Sequence, residues 1–288
     1  MPNDVRVPVA GGELVGHRGG DGEPALLLHG GPAVPDHTER CAEELHGLFH
    51  VIRYTQRGVR PSLVQGPYSI EQHMADALAV LDAAGVERAW AIGHSWGGHL
   101  ALHLAVAHPE RLLGVICIDP LGAHGEIFAE FGENLRRPLS DEEVARIDEV
   151  EELRRHGEAT EADLIERWAI LWPLLFARPE DASLAPAHVG VECSTGTNAS
   201  IKKHFQAGTL VKELPKAHLP ALFVHGAEDP LPVRASTDTA RLIPAARVEV
   251  IPDCGHFPWL EQPGAIRRAV DRLLAPAVGH ARLDGGKR

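Results

Sequence analysis

A serine flanked by glycines, Gly93-His94-Ser95-Trp96-Gly97, stands between an apolar run and a segment of helical composition. A serine hydroxyl attacks a carbonyl only when a base takes its proton. That base is ordinarily a histidine, which in turn needs a carboxylate to hold its tautomer and balance its charge. The chain supplies both further on. Asp229 lies in "HGAEDP" and His256 in "PDCGHFPWLEQP", each past an apolar, strand-like run. Gly-x-Ser-x-Gly between strand and helix marks a sharp turn that presents its serine, with glycines where side chains would clash. Asp119 also follows a strand-like run and is a second candidate acid. Asp229 is preferred because its loop lies next to the His256 strand in chain order. Cys254, close to His256, reads as a small buried side chain rather than a thiol nucleophile.

The negative oxygen that forms on an attacked carbonyl needs backbone donors. The N–H of Trp96, directly after Ser95, is one. The loop "HGGP", His29 to Pro32, offers the second. Gly31 is the candidate there, since no side chain separates its N–H from a substrate.

These residues need a scaffold that brings distant loops together. Two short strands, near Val5–Val9 and Glu13–His17, form a hairpin through Gly11-Gly12. "PALLLHGGP", "FHVIRYTQRG", "AWAIG" and "LGVICID" are short and nearly all apolar, as strands buried on both faces of a parallel sheet must be. Between them lie amphipathic helices. One begins at Ser69, where Ser69 with Gln72 spells a capping box, and stops at Gly85. From about Leu121 to Leu219 only helices are expected. One is capped by Ser140 with Glu143; another starts near Glu161 and carries Leu164, Trp168, Leu171 and Trp172 before Pro173 breaks it. Strands resume at "PALFVHGAEDP" and "ARVEVIPDCGH", with a last helix near Gly264–Leu274. The expected organisation is a mostly parallel α/β core at 1–120 and 219–278, a helical insertion at 121–218 and a flexible tail at 279–288.

Composition narrows the partners. A net charge of −12 disfavours a phosphate backbone or an anionic membrane surface. No apolar run approaches spanning length, and the opening residues lack a secretion-signal pattern. The four cysteines form no CxxC pair, and the eighteen histidines show no metal-ligand spacing. The expectation is a cytoplasmic protein acting on a small molecule, with no metal or other cofactor and no nucleic-acid or membrane partner.

"HGGP", "YTQRG", "GHSWGG", "HGAEDP" and "GHFPWLEQP", in this order, resemble the α/β-hydrolase superfamily and, within it, the proline iminopeptidase-like serine hydrolases. The resemblance spans nearly the whole chain. It implies the α/β-hydrolase fold, a twisted sheet flanked by helices with an inserted helical cap over the site. It implies Ser95, Asp229 and His256 as a catalytic triad and Gly31 and Trp96 as oxyanion donors. It also implies a cis peptide between Gly31 and Pro32. Three positions depart from the aminopeptidases: Ala33 ends the "HGGP" motif, Thr55 replaces an aspartate, and Pro173 stands where a glutamate would hold a substrate amine. Glu166 and Glu192 are the acids that could replace that glutamate. Trp168 and Trp172, with Leu175, are expected to line the pocket. The reading is a serine hydrolase that cleaves an ester, lactone or amide through an acyl-enzyme. A proline iminopeptidase, a carbon–carbon bond hydrolase with the same triad, and a non-catalytic binding protein on the same fold are the alternatives.

Overall fold

The computed structural model describes residues 4–275, so the tail expected at 279–288 lies outside the described residues. Eight strands form one sheet: β1 (Asp4–Val9), β2 (Gly12–Gly19), β3 (Glu23–Leu28), β4 (Phe49–Tyr54), β5 (Ala89–His94), β6 (Leu112–Ile118), β7 (Ala221–Gly226) and β8 (Arg247–Ile251). Their spatial order is β1-β2-β4-β3-β5-β6-β7-β8. β1 pairs antiparallel with β2, and β2 with β4; every other pairing is parallel. This is the α/β-hydrolase fold expected from the sequence.

The apolar runs become the centre of the sheet because they are covered twice. All six residues of β5 and all six of β7 are buried. Helices α1 (Glu39–Leu45), α2 (Ile70–Ala83) and α3 (Trp96–Ala107) pack against the strands around them. Leu26, Leu28, Ala91 and Val115 belong to a core on the side of α2 and α3. Leu27, Ile92, Ile116 and Leu222 belong to a second core on the opposite face. Ser69 caps α2 by accepting the Gln72 N–H, but the reciprocal half of the box is not made. The Gln72 amide turns instead to Asp76 Oδ1, 3.3 Å away.

Between β6 and β7 the described chain is helical and turn-like: α4 (Gly125–Arg136), α5 (Asp141–His156), α6 (Glu161–Leu171), α7 (Val191–Ala207) and α8 (Thr209–Glu213). Ser140/Glu143 and Thr160/Asp163 form complete capping boxes at the starts of α5 and α6, satisfying N–H groups that helix ends leave open. The chain then returns through α9 (Arg234–Ala240), α10 (Pro258–Glu261) and α11 (Ala265–Leu274). Five neighbouring parallel strands, β3, β5, β6, β7 and β8, thus end on one edge. The loops that leave them carry Gly31, Ser95, Asp119, Asp229 and His256.

Candidate active site

Ser95 is held between β5 and α3 at φ 54° and ψ −117°, outside the relaxed regions for a residue with a Cβ. The neighbouring glycines make this turn feasible. A Cβ on Gly93 would fall 2.2 Å from the Gly97 carbonyl oxygen, and one on Gly97 would fall 2.1 Å from that of Leu28. The Ser95 N–H donates to the Ile118 carbonyl at 2.8 Å, which ties the turn to β6. Ser95 also begins a twelve-residue helix, whose N-terminus favours an incoming negative charge.

His256 lies beyond β8, held by a 2.7 Å bond from its own N–H to the Leu175 carbonyl. Its ring Nδ1 donates to Asp229 Oδ2 at 2.6 Å. Asp229 Oδ1 accepts the Leu231 N–H at 2.8 Å, so both carboxylate oxygens are engaged. With the proton on Nδ1, His256 Nε2 carries a lone pair. Burial lowers the His256 pKa below its ordinary value, with Asp119 and Glu261 acting in the opposite direction. Ser95 and His256 line the same cavity. No hydrogen bond joins them among the described residues, as is common in serine–histidine sites without substrate.

Asp119, the other candidate acid, ends up beside the first. The donor atoms of Asp119, His225 and Asp229 lie within 4.8 Å of one another. Asp119 Oδ1 accepts the Gly226 N–H at 2.8 Å, and Oδ2 has no donor. Burial and the neighbouring Asp229 charge push the Asp119 pKa well above the ordinary carboxylate range. Burial raises the Asp229 pKa as well, against the Leu231 N–H that lowers it. One proton held by the pair removes a buried like-charge contact, and the Leu231 N–H and His256 Nδ1–H, both donated to Asp229, favour Asp229 as the anion. The cluster is a poor metal set. His225 Nε2 donates to the Leu231 carbonyl at 2.8 Å and Nδ1 meets the Ser236 hydroxyl at 2.8 Å, so neither nitrogen offers a lone pair to the carboxylates.

Gly31 lies at φ 127°, and its bond to Pro32 is cis, as the resemblance implies. Gly31 and Pro32 line the cavity beside Ser95. The loop is fixed from below through Gln56 of "TQRG". The Gln56 N–H donates to His29 Nε2 and its side-chain amide to the His29 carbonyl, both at 2.9 Å, while Gln56 Oε1 accepts from Trp96 Nε1 at 2.7 Å. The loops bearing Gly31 and Trp96 therefore share one buried side chain. Gly30 also matters here: a Cβ on it would stand 2.7 Å from His94 Nδ1 and 3.1 Å from Ser95 Cβ.

The cavity, of about 640 Å³, opens between the strand ends and helices α4 to α7. Trp168, Trp172 and Leu175 all line it, together with Phe128 and Phe131. Glu166 and Glu192 do not. Glu166 pairs instead with Arg146 at 2.7 Å. Three carboxylates do reach the cavity wall: Asp148, Glu151 and Glu152. Each is paired with arginine: Asp148 with Arg136 at 2.6 Å, Glu151 with Arg154 at 2.6 Å and Arg167 at 2.7 Å, and Glu152 with Arg155. Sequence reasoning gave no role to His94 or to His37. His94 is the variable residue of Gly-x-Ser-x-Gly, and no motif marks His37.

Residues 24–263 match the alpha/beta hydrolase fold family, and the chain belongs to it. It is similar to the 2-hydroxymuconate semialdehyde hydrolase of Pseudomonas putida, at 29% identity over 284 residues, covering 91% of this chain and 90% of that protein. It is 31% identical over 283 residues to the rhodomycin D methylesterase DnrP of Streptomyces peucetius, covering 88% and 89%. A proline iminopeptidase of Lactobacillus delbrueckii subsp. bulgaricus is 28% identical over 263 residues, covering 84% and 86%, so the narrower likeness seen in the motifs is shared with other hydrolases. Among solved structures, a thermophilic esterase from Thermogutta terrifontis superimposes with a TM-score of 0.70 at 25% identity, covering 94% of this chain and 99% of that one. No helix among the described residues is long and apolar enough to cross a membrane.

Proposed function

We propose that the protein is a serine hydrolase that cleaves a small, largely apolar carboxylic ester or lactone through an acyl-enzyme. The observation that carries this reading is the 2.6 Å His256–Asp229 bond, made on the wall of the cavity that Ser95 enters from its glycine-bounded turn. His256 Nε2 takes the Ser95 proton as Oγ attacks the carbonyl. The Gly31 and Trp96 N–H groups receive the charge on the carbonyl oxygen. His256 then returns the proton to the departing alcohol, and a water activated by the same nitrogen releases the acid. The methylesterase and esterase relatives support the ester reading. The paired state of every carboxylate lining the cavity speaks against recognition of a substrate ammonium, and hence against the iminopeptidase.

A second reading, hydrolysis of a carbon–carbon bond next to a ketone, is favoured by the Pseudomonas putida relative over nearly the whole chain. Direct assay of 2-hydroxymuconate semialdehyde beside a panel of p-nitrophenyl esters separates the two. The shared core of both readings is tested by labelling with a fluorophosphonate probe. The adduct is expected on Ser95 and lost on heat denaturation. Ser95→Ala and His256→Ala are each expected to lower turnover by about four to six orders of magnitude with the fold intact. An unlabelled protein, or a Ser95→Ala enzyme keeping more than about a hundredth of the rate, would leave a binding protein or another nucleophile.

A further inference from the structure

Two buried histidines stand in line behind the candidate base. His37 Nδ1 lies 3.1 Å from the Pro35 carbonyl oxygen. His37 Nε2 lies 3.2 Å from His94 Nδ1. His94 Nε2 lies 2.8 Å from the main-chain carbonyl oxygen of His256. Among the described residues, no other donor reaches that carbonyl. The rings are packed as well as bonded. The centroid of His94 is 4.6 Å from that of His256 and 4.7 Å from that of Trp259, while His37 lies parallel to Trp259 at 6.3 Å.

Counting protons shows what such a row can do. Both ends are carbonyl oxygens, which only accept, so three contacts in line need three N–H groups. Two neutral imidazoles supply two. Burial lowers the His37 pKa to about 4 and takes that of His94 well below its ordinary value, outweighing the Pro35 and His256 carbonyls and Asp36, which favour a further proton; Asp36 is itself paired with Arg53. One contact is therefore left without a proton. If His37 holds its hydrogen on Nε2, it donates to His94 Nδ1, and His94 is then obliged to carry its own hydrogen on Nε2. That hydrogen meets the His256 carbonyl in the shortest contact of the row. The unfilled contact is then the one farthest along the row from His256, between His37 Nδ1 and the Pro35 carbonyl.

We propose that His37 and His94 form a positioning relay for His256, in which His37 fixes the tautomer of His94 and His94 Nε2–H clamps the backbone of the candidate base. Leu175 holds the His256 N–H and Asp229 holds its ring. His94 supplies the remaining restraint, on the carbonyl, and so sets the angle at which Nε2 approaches Ser95. His37 and His94 both border the cavity, but among the described residues their ring nitrogens bond only to one another and to the Pro35 and His256 carbonyls, so the relay acts on the reaction through His256. It rests on the serine hydrolase reading, and its signature is a change in kcat with little change in KM.

The test compares His94→Gln with His94→Met on a p-nitrophenyl ester. A glutamine amide offers a donor and an acceptor about as far apart as the two ring nitrogens, whereas methionine fills the space and offers no donor. His94→Gln is expected to keep kcat within about threefold of wild type. His94→Met is expected to lose about 10- to 100-fold in kcat, with KM within about twofold and thermal stability close to that of His94→Gln. His37→Met is expected to lower kcat severalfold alone and to add nothing in the His94→Met background. Equal kcat for His94→Gln and His94→Met, or a change confined to KM, would overturn the relay while Ser95→Ala remained inactive. If Ser95 takes no fluorophosphonate label, the hydrolase reading fails first. An activity-free check uses Ser95→Ala: long-range proton–nitrogen NMR is expected to show the hydrogen on Nε2 of both His37 and His94. A hydrogen on His94 Nδ1 would refute the proposal.

Discussion

In the proposed mechanism His256 takes a proton from Ser95 only while Nε2 is free, so its pKa would set the lower end of the working range. Burial lowers that pKa more than Asp119 and Glu261 raise it. A lowered pKa keeps the ring neutral further into acid, so the activity needing neutral His256 persists below its ordinary value and is lost as the pH falls through the lowered one. The acid limb of kcat/KM for a non-titrating ester is expected to have its midpoint below about pH 6.5. A midpoint above about pH 7 would contradict this. The two acids behind the ring are separable on the same scale. A protonated Asp119 offers one acceptor and one donor, as an asparagine does. Asp119→Asn is therefore expected to keep activity within about fivefold, while Asp229→Asn is expected to lose about 10³- to 10⁴-fold by favouring the wrong imidazole tautomer. Reversed severities in steady-state kinetics would move the acid to Asp119. Both acids were visible in the sequence as residues after apolar runs. Their contact was not, because it arises only when β6 and β7 pair in the sheet.

The elements were legible where one local rule dominated. Buried strands announced themselves as apolar runs, and Ser140 with Glu143 announced the start of α5. Ser69 shows the limit of such a rule: its cap forms, but Asp76 draws Gln72 away, and Asp76 is itself there to hold Arg57 in a buried pair at 2.6 Å. The turn at Ser95 is an element-level device, since three strands and a helix meet where its glycines stand. Gly97→Ala places a methyl group against the Leu28 backbone, which a side-chain movement cannot relieve. The variant is expected to lose about 3 kcal/mol of stability, read as a lower midpoint in urea unfolding. An unchanged midpoint would mean that β3 and α3 do not approach as closely as described. By contrast Gly132, also in a helix, has open space where its Cβ would go. Gly132→Ala serves as the control and is expected to be neutral or mildly stabilising.

At the scale of the whole molecule, the cavity lies where the helical insertion meets the sheet, and the proposed reading places substrate selection there. The sequence marked Trp168 and Trp172 as wall residues, and both line the cavity. It could not show the fate of the acids, because ion pairing depends on how α4, α5 and α6 lie against one another. Glu166 faces Arg146 outside the cavity, and the cavity's own acids answer to Arg136, Arg154, Arg155 and Arg167. A free α-amine entering this space meets aromatic and aliphatic side chains, four lining arginines and carboxylates already paired with them. An enzyme with an unpaired carboxylate there would gain a charge-assisted contact of about 1.5–3 kcal/mol, or roughly ten- to a hundredfold in selectivity. The expected result is therefore little discrimination: kcat/KM for prolyl p-nitroanilide and its N-blocked form within about threefold, with both well below a short acyl p-nitrophenyl ester. Free and blocked amines are compared on one leaving group so that leaving-group reactivity cancels. A preference of tenfold or more for the free amine, abolished by Glu151→Gln, would mean that Glu151 leaves its arginines to meet the substrate. That outcome would return the molecule to the aminopeptidases. Without such a preference, the arginine-held acids act as part of the wall.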